Sequence, residues 1–199
     1  MSDIADQVQA SVEKGSESKL NSRIAVAVAL CATFMALCNV KDGNVVQAMQ
    51  QVQTQAVDQW AFYQAKSTKQ HIAENTAELL RIQLATTPGL KPETEATLSS
   101  KVAEYEGQAK KYEKEKGEIQ AQAKAQEKAY QDLNVFDDQF DMADACLSVA
   151  IAMFGITALT QKTRLFWFAA LFAGFGMAFG LSGFLHSNLH PDWLAALLG

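Results

Sequence analysis

Three groups of residues have the types and spacing from which chemistry is commonly built. Asp137, Asp141 and Asp144 recur at intervals of four and three, on one helical face, at the entrance to an apolar run. Carboxylates so placed can hold cations or pass protons, although acids at a helix N-terminus are also favoured simply by the helix dipole. Asp144 falls in the first turn of the run itself, where a charge must face protein, water or a counter-charge, and Lys41 stands at the matching depth of an earlier run. His186 and His190 are four apart, the spacing at which two imidazoles share a metal on a helix. Pro191 follows at once, and a third ligand would have to come from the aspartates, so no metal site is expected. Trp60, Tyr63 and Lys66 lie at i, i+3 and i+6 and form an aromatic and cationic patch on a polar helix, either packed on a neighbouring helix or offered to a partner.

None of these groups makes an enzyme. No nucleophile, base and orienting acid are spaced to act together, and no glycine-rich loop would cradle a phosphate, so neither a catalytic residue nor a cofactor is expected. Cys31, Cys38 and Cys146 all fall in or beside apolar runs, with neither zinc spacing nor a redox pair, and read as small apolar side chains. A formal charge of -5, a pI near 5.2 and the lack of a long basic run exclude the usual nucleic-acid binder.

The elements that position these residues are polar arms and apolar runs. Over 199 residues a mean hydropathy of -0.05 hides two populations, because most of the 17 lysines and arginines lie between 41 and 142. The reading is an all-α membrane protein, with three transmembrane helices and a long antiparallel coiled-coil hairpin inserted between the first and second. Residues 1–22 form an N-terminal segment, 23–40 the first span, 41–142 the extramembrane hairpin, 143–160 the second span, 165–185 the third, and 186–199 an interfacial tail carrying Trp193. The first run lacks a cleavage site and follows several acids, so it reads as a retained anchor.

Within the hairpin, arms of residues 44–85 and 93–134 are each about 60 Å long at helical rise. They are joined by Thr86-Thr87-Pro88-Gly89 and Pro92. The second arm carries Leu98, Val102, Tyr105, Ala109, Tyr112, Ile119, Ala123, Tyr130 and Leu133 on one heptad ladder, interrupted by Lys116 and Gln126. The first carries Val45, Met49, Val52, Ala56, Trp60, Tyr63 and Ser67, then Ile72, Thr76, Leu79 and Gln83. Equal arms predict that Trp60 sits near residues 116–119 of the returning arm.

Small residues recur at three and four in every span: Ala25, Ala29, Ala32 and Ala36; Ala145, Ser148, Ala152 and Gly155; and Ala169, Ala173, Gly176, Gly180 and Gly183. Such ladders allow close helix approach within one chain or between copies. Gly176, Gly180 and Gly183 are the candidate contact of a homo-oligomer. Lys14, Lys19 and Arg23 before the first span, with Lys162 and Arg164 between the second and third, place both segments in the cytoplasm. The hairpin and C-terminus then lie in the periplasm of a bacterial inner membrane.

Gln59-Trp60-Ala61-Phe62-Tyr63-Gln64-Ala65-Lys66-Ser67 follows an N-terminal span and precedes a coiled region. Phe140-Asp141-Met142-Ala143-Asp144 then opens a span, with Leu159-Thr160 and an aromatic-rich third span after it. Over residues 22–185 the chain resembles an uncharacterised bacterial membrane family, number 4337 among the domains of unknown function. The resemblance implies the topology and brings no activity, substrate or cofactor. The function expected is that of a membrane-anchored coiled-coil protein with a structural, scaffolding or interaction role. Its partners are membrane lipid, further copies of itself and an envelope protein, and its candidate contacts are Trp60, Tyr63, Lys66, Asp141 and Asp144. The competing reading is an accessory subunit of a transporter or channel, or a small ion-conducting homo-oligomer.

Overall fold

The computed structural model describes residues 2–185, with side chains from Lys19 onward. His186, His190 and Trp193, and with them the metal pair and the interfacial tail, lie outside the described residues. Three α-helices and no strand make up the described chain: α1 (Ser2–Thr86), α2 (Pro92–Thr160) and α3 (Thr163–Phe184). All three are long and apolar enough to cross a membrane.

The breaks fall where the backbone chemistry demands them. No proline occurs before Pro88, so α1 continues through Gly43 and ends at Thr86, just ahead of Pro88, after which Gly89 turns the chain with a left-handed φ of 78°. Pro92 is the first residue of α2, where its missing N–H costs no helical bond, and Glu93 and Glu95 complement the dipole of the first turn. Gln161, with a φ of 54°, and the extended Lys162 alone separate α2 from α3. The Gln161 side chain donates to Asn21 Oδ1 at 2.9 Å, so the α2–α3 link adjoins the residues that precede the first apolar run.

The chain divides into two compact units, one of Met1–Met49 with Asp132–Gly199 and the other of Gln50–Gln131. The uncharged helical runs of the first unit carry apolar side chains both inside and out. Ile24, Cys31, Leu147, Ala150, Phe154, Ala169 and Ala173 form its core, while Leu30, Leu37, Ile156, Trp167, Leu171 and Phe175 point outward. That inversion of a water-soluble surface suits helices surrounded by lipid. The hydroxyls of Thr33 and Thr157 are satisfied by their own helices, Thr33 donating to Ala29 O at 2.8 Å and Thr157 to Met153 O at 2.7 Å.

The three small-residue ladders differ. Ala169, Ala173, Gly176, Gly180 and Gly183 are buried, whereas Ala25, Ala29, Ala32 and Ala36 are exposed, as are Ala145, Ser148, Ala152 and Gly155. The first apolar run packs instead through Ile24, Cys31 and Cys38.

In the second unit, side chains of the α1 and α2 arms meet. Trp60 Nε1 donates to Glu127 Oε1 at 2.8 Å, Lys66 pairs with Glu115, and Arg81 pairs with Glu106. Every ladder residue expected on the α2 arm is buried or half-buried, Lys116 and Gln126 included. The α1 arm corrects its expected stripe beyond Ser67. Ile72 and Leu79 are exposed, and Gln70, Ala73 and Ala77 are buried in their place. The step from Ser67 to Ile72 is five residues, which overshoots a full turn by about 140° and lands on another face. Steps of three and four from Tyr63 through Ser67, Gln70, Ala73 and Ala77 keep to one face. The expected neighbour of Trp60 is corrected too: it meets Glu127, not residues 116–119. Counting from the turn assumed both arms pair from their first residues, yet Pro92 to Thr97 are exposed and α2 is covered only from Leu98 onward.

Candidate functional site

The aromatic patch arises because α1 carries Trp60 and Tyr63 one turn apart on the face turned towards α2. Their ring centroids are 5.4 Å apart in an edge-to-face arrangement. Trp60 also borders a cleft of about 400 Å³ lined by Gln53, Ala56, Val57, Glu127 and Tyr130. Lys66, half-buried, is paired with Glu115 and lies 5.4 Å from the centroid of the Tyr112 ring. Lys116 stands 5.7 Å from the centroid of Tyr63. The Lys66 ammonium, through its hydrogen bond, holds the Glu115 carboxyl below the usual carboxylate range. Thus Trp60, Tyr63 and Lys66 are brought together and largely engaged by α2, which makes them an internal clasp of the second unit.

The aspartates gather in the first unit, and Asp42 of α1, which the sequence reading passed over, joins them. Its signal was legible: an acid two residues beyond an apolar run, level with those that precede the next. Asp137 is pushed up to about 6, first by burial, then by the charges of Asp42 and Asp141, a hydrogen bond with Asp42, and Asp138. Burial also raises Asp42, reinforced by Asp144 and opposed by the hydrogen bond with Asp137. Asp141 is raised by partial desolvation and by the charges of Asp42, Asp138 and Asp144. Asp144 is half-buried. Nearby, Lys41 borders a cleft of about 290 Å³ with Val45, Leu133, Phe136, Phe140 and Gly183. Among the described residues, no group of three His, Cys, Asp or Glu side chains is arranged to hold a metal ion.

The glycines of α3 make a close fit within the chain. A Cβ built on Gly176 falls 2.7 Å from Leu147 Cγ, one on Gly180 falls 2.6 Å from Phe34 Cε1 and 2.8 Å from Cys38 Sγ, and one on Gly183 falls 2.7 Å from Phe140 Cζ. Phe184 adds ring contacts to Phe34 and Phe140, with centroids 6.3 and 5.4 Å apart. Gly176, Gly180 and Gly183 therefore receive side chains of α1 and α2 from the same molecule, and their close approach is an intrachain one.

The second unit also exposes large apolar side chains, among them Ile72 and Leu79, which the spacing placed on the inner stripe. Val57, Phe62, Ile72, Leu79 and Ile82 are all exposed, and all belong to α1. The clue was present in the five-residue step that removes Ile72 from the inner face.

The family model described as domain of unknown function (DUF4337) matches residues 20–186, and the chain belongs to that family. No curated protein and no solved structure matches it.

Proposed function

We propose that this member of a family of unknown function is a membrane-anchored interaction protein. It crosses the bilayer three times and presents an antiparallel coiled hairpin on one side as a contact surface, with a scaffolding role and no catalytic one. The observation that carries this reading is the confinement of exposed large apolar side chains in the second unit to α1. A solvated helical pair has no need of such a face, and contiguous apolar surface commonly marks a contact. The antiparallel sense is supported by the contacts Trp60–Glu127, Lys66–Glu115 and Arg81–Glu106, whose α2 numbers fall as the α1 numbers rise.

Residues 1–22 and the link between α2 and α3 share the cytoplasmic side in this reading, with the hairpin across the membrane. The Gln161–Asn21 hydrogen bond supports their common side, and the basic residues Lys19, Arg23, Lys162 and Arg164 support its identity. An impermeant thiol reagent on intact cells labels Ser100→Cys and spares Ser11→Cys if this orientation is right, and does the opposite if it is reversed.

The contact role is tested on the whole protein. Alkaline extraction leaves it with the bilayer, and the particle released by mild detergent exceeds the 21.7 kDa of one chain. Release by alkali, or a single-chain particle without associated protein, overturns the reading.

A further inference from the structure

The outer face of the α1 arm has a regular period of its own. Ala65, Thr68, Ile72, Asn75, Leu79 and Ile82 succeed one another at intervals of 3, 4, 3, 4 and 3, and all six are exposed. Ile72, Leu79 and Ile82 leave 60, 67 and 48 % of their surface uncovered. This is the spacing of a two-helix seam, lying on the back of the one already closed by α2. None of the six is charged, although charged residues lie on either side of them. The Thr68 hydroxyl donates to Gln64 O at 3.0 Å, so its polar atom is satisfied by its own helix and its methyl can be desolvated cheaply.

We propose that this face is a homotypic interface, in which two copies join α1 to α1, parallel and in register, through Ala65 to Ile82. The inference rests on the reading of the second unit as a contact surface, and it names the partner as a second copy. Three observations single out that occupant. The α2 arm exposes no large apolar side chain among the described residues, so within the second unit of another copy the apolar complement to this face is the α1 face. The result is an interface with the same patch on both sides, as a two-fold axis requires.

The flanks are compatible with self-pairing as well. A parallel register sets Gln64 of one copy opposite Lys69 of the other, His71 opposite Thr76, and Glu78 opposite Gln83, with no like charges facing. Finally, copies inserted in one bilayer share their topology, and a two-fold axis along the bilayer normal keeps equivalent helices in the same sense. That register brings the two Asn75 amides together, where an antiparallel one would bury each against an aliphatic side chain. A polar residue at a seam position is a known device for fixing register.

The test uses the full-length protein in its native membrane. Oxidation of Leu79→Cys gives a disulfide product of twice the chain mass, whereas Ser100→Cys on α2 and the wild-type protein, with its native cysteines, remain single. In mild detergent, wild-type particles contain two or more copies. Ile72→Lys combined with Leu79→Lys reduces their copy number without changing helicity or Trp60 fluorescence, since both side chains are already exposed. Equal self-linking at positions 79 and 100, or an unchanged copy number in the lysine double variant, overturns the proposal. A large particle that holds one copy and another protein overturns the homotypic interface while the contact-surface reading stands. A particle of one chain alone overturns both.

Discussion

In α3 the residues Ala169, Ala173, Gly176, Gly180 and Gly183 are all buried, while Ala25, Ala29, Ala32 and Ala36 of α1 all face outward, although both series advance by fours and threes. The difference lies in what stands opposite. The glycines of α3 are hollows into which Leu147, Phe34 and Phe140 fit, and the alanines of α1 have no such knobs facing them. A small-residue ladder permits close approach, and a bulky partner at the right height decides whether the permission is used. The arms of the second unit repeat the lesson with larger side chains. The α2 ladder is covered along its length, whereas Ile72 and Leu79 of α1 share the spacing and remain outside.

The sharpest way to break this comparison is to fill the hollows. Gly180→Leu forces at least a Cβ against Phe34 and Cys38 and is expected to destabilise the first unit by about 3 kcal/mol or more. Ala29→Leu, on the outward ladder, is expected to change unfolding in detergent by less than about 0.5 kcal/mol. Equal effects would mean that both ladders are packed. In the second unit, Ile119→Asp on the covered ladder is expected to cost about 2 kcal/mol through lost packing and a desolvated charge. Ile72→Asp should leave the thermal midpoint nearly unchanged in a detergent that disperses the wild-type protein to single chains, and a large drop under that condition would place Ile72 in an internal core.

Charges sharpen the contrast further. Asp137 sits among other acids, and its pKa of about 6 lies above the unfolded value near 4. The folded state therefore holds more protons than the unfolded one between those values. Stability contributed by the protonated group is full below about 4 and is lost as pH rises through about 6. Asp137→Asn is expected to flatten that dependence and raise the thermal midpoint at neutral pH relative to wild type. No difference between the two across pH 4 to 7 would remove Asp137 from the titration. The smallest effect belongs to Lys66→Met. Its pairing with Glu115 is partly solvated, so the loss should be slight and should shrink in high salt.

Local rules in the sequence reach far into this fold. Pro88, Gly89 and Pro92 mark the turn, and the uncharged runs mark the three apolar helices, because both signals depend on residues close in the chain. The α2 ladder is legible because its heptad continues through Lys116 and Gln126, whose long stems tolerate half-burial. The α1 stripe is lost beyond Ser67, where Gln70, Ala73 and Ala77 are too polar or too small to compete by eye with Ile72 and Leu79. Burial there follows from the position of α2, which no local pattern contains. The same holds for Asp42: its proximity to Asp137 depends on residues 95 positions apart being packed together. The inward turn of the α3 glycines likewise needed Phe34, Phe140 and Leu147 to be seen opposite them.

The glycine hollows also impose an order on biogenesis. The ribosome delivers Phe34, Phe140 and Leu147 well before Gly176, Gly180 and Gly183 exist to receive them. In the proposed three-span reading, a nascent chain that lacks α3 leaves Phe34, Phe140 and Leu147 without the glycine hollows that receive them, and insertion of the last helix is expected to lock the assembly. A chain truncated after Thr160 is accordingly expected to reach the membrane and yet turn over faster than the full chain in a pulse–chase experiment, as a substrate for membrane quality control.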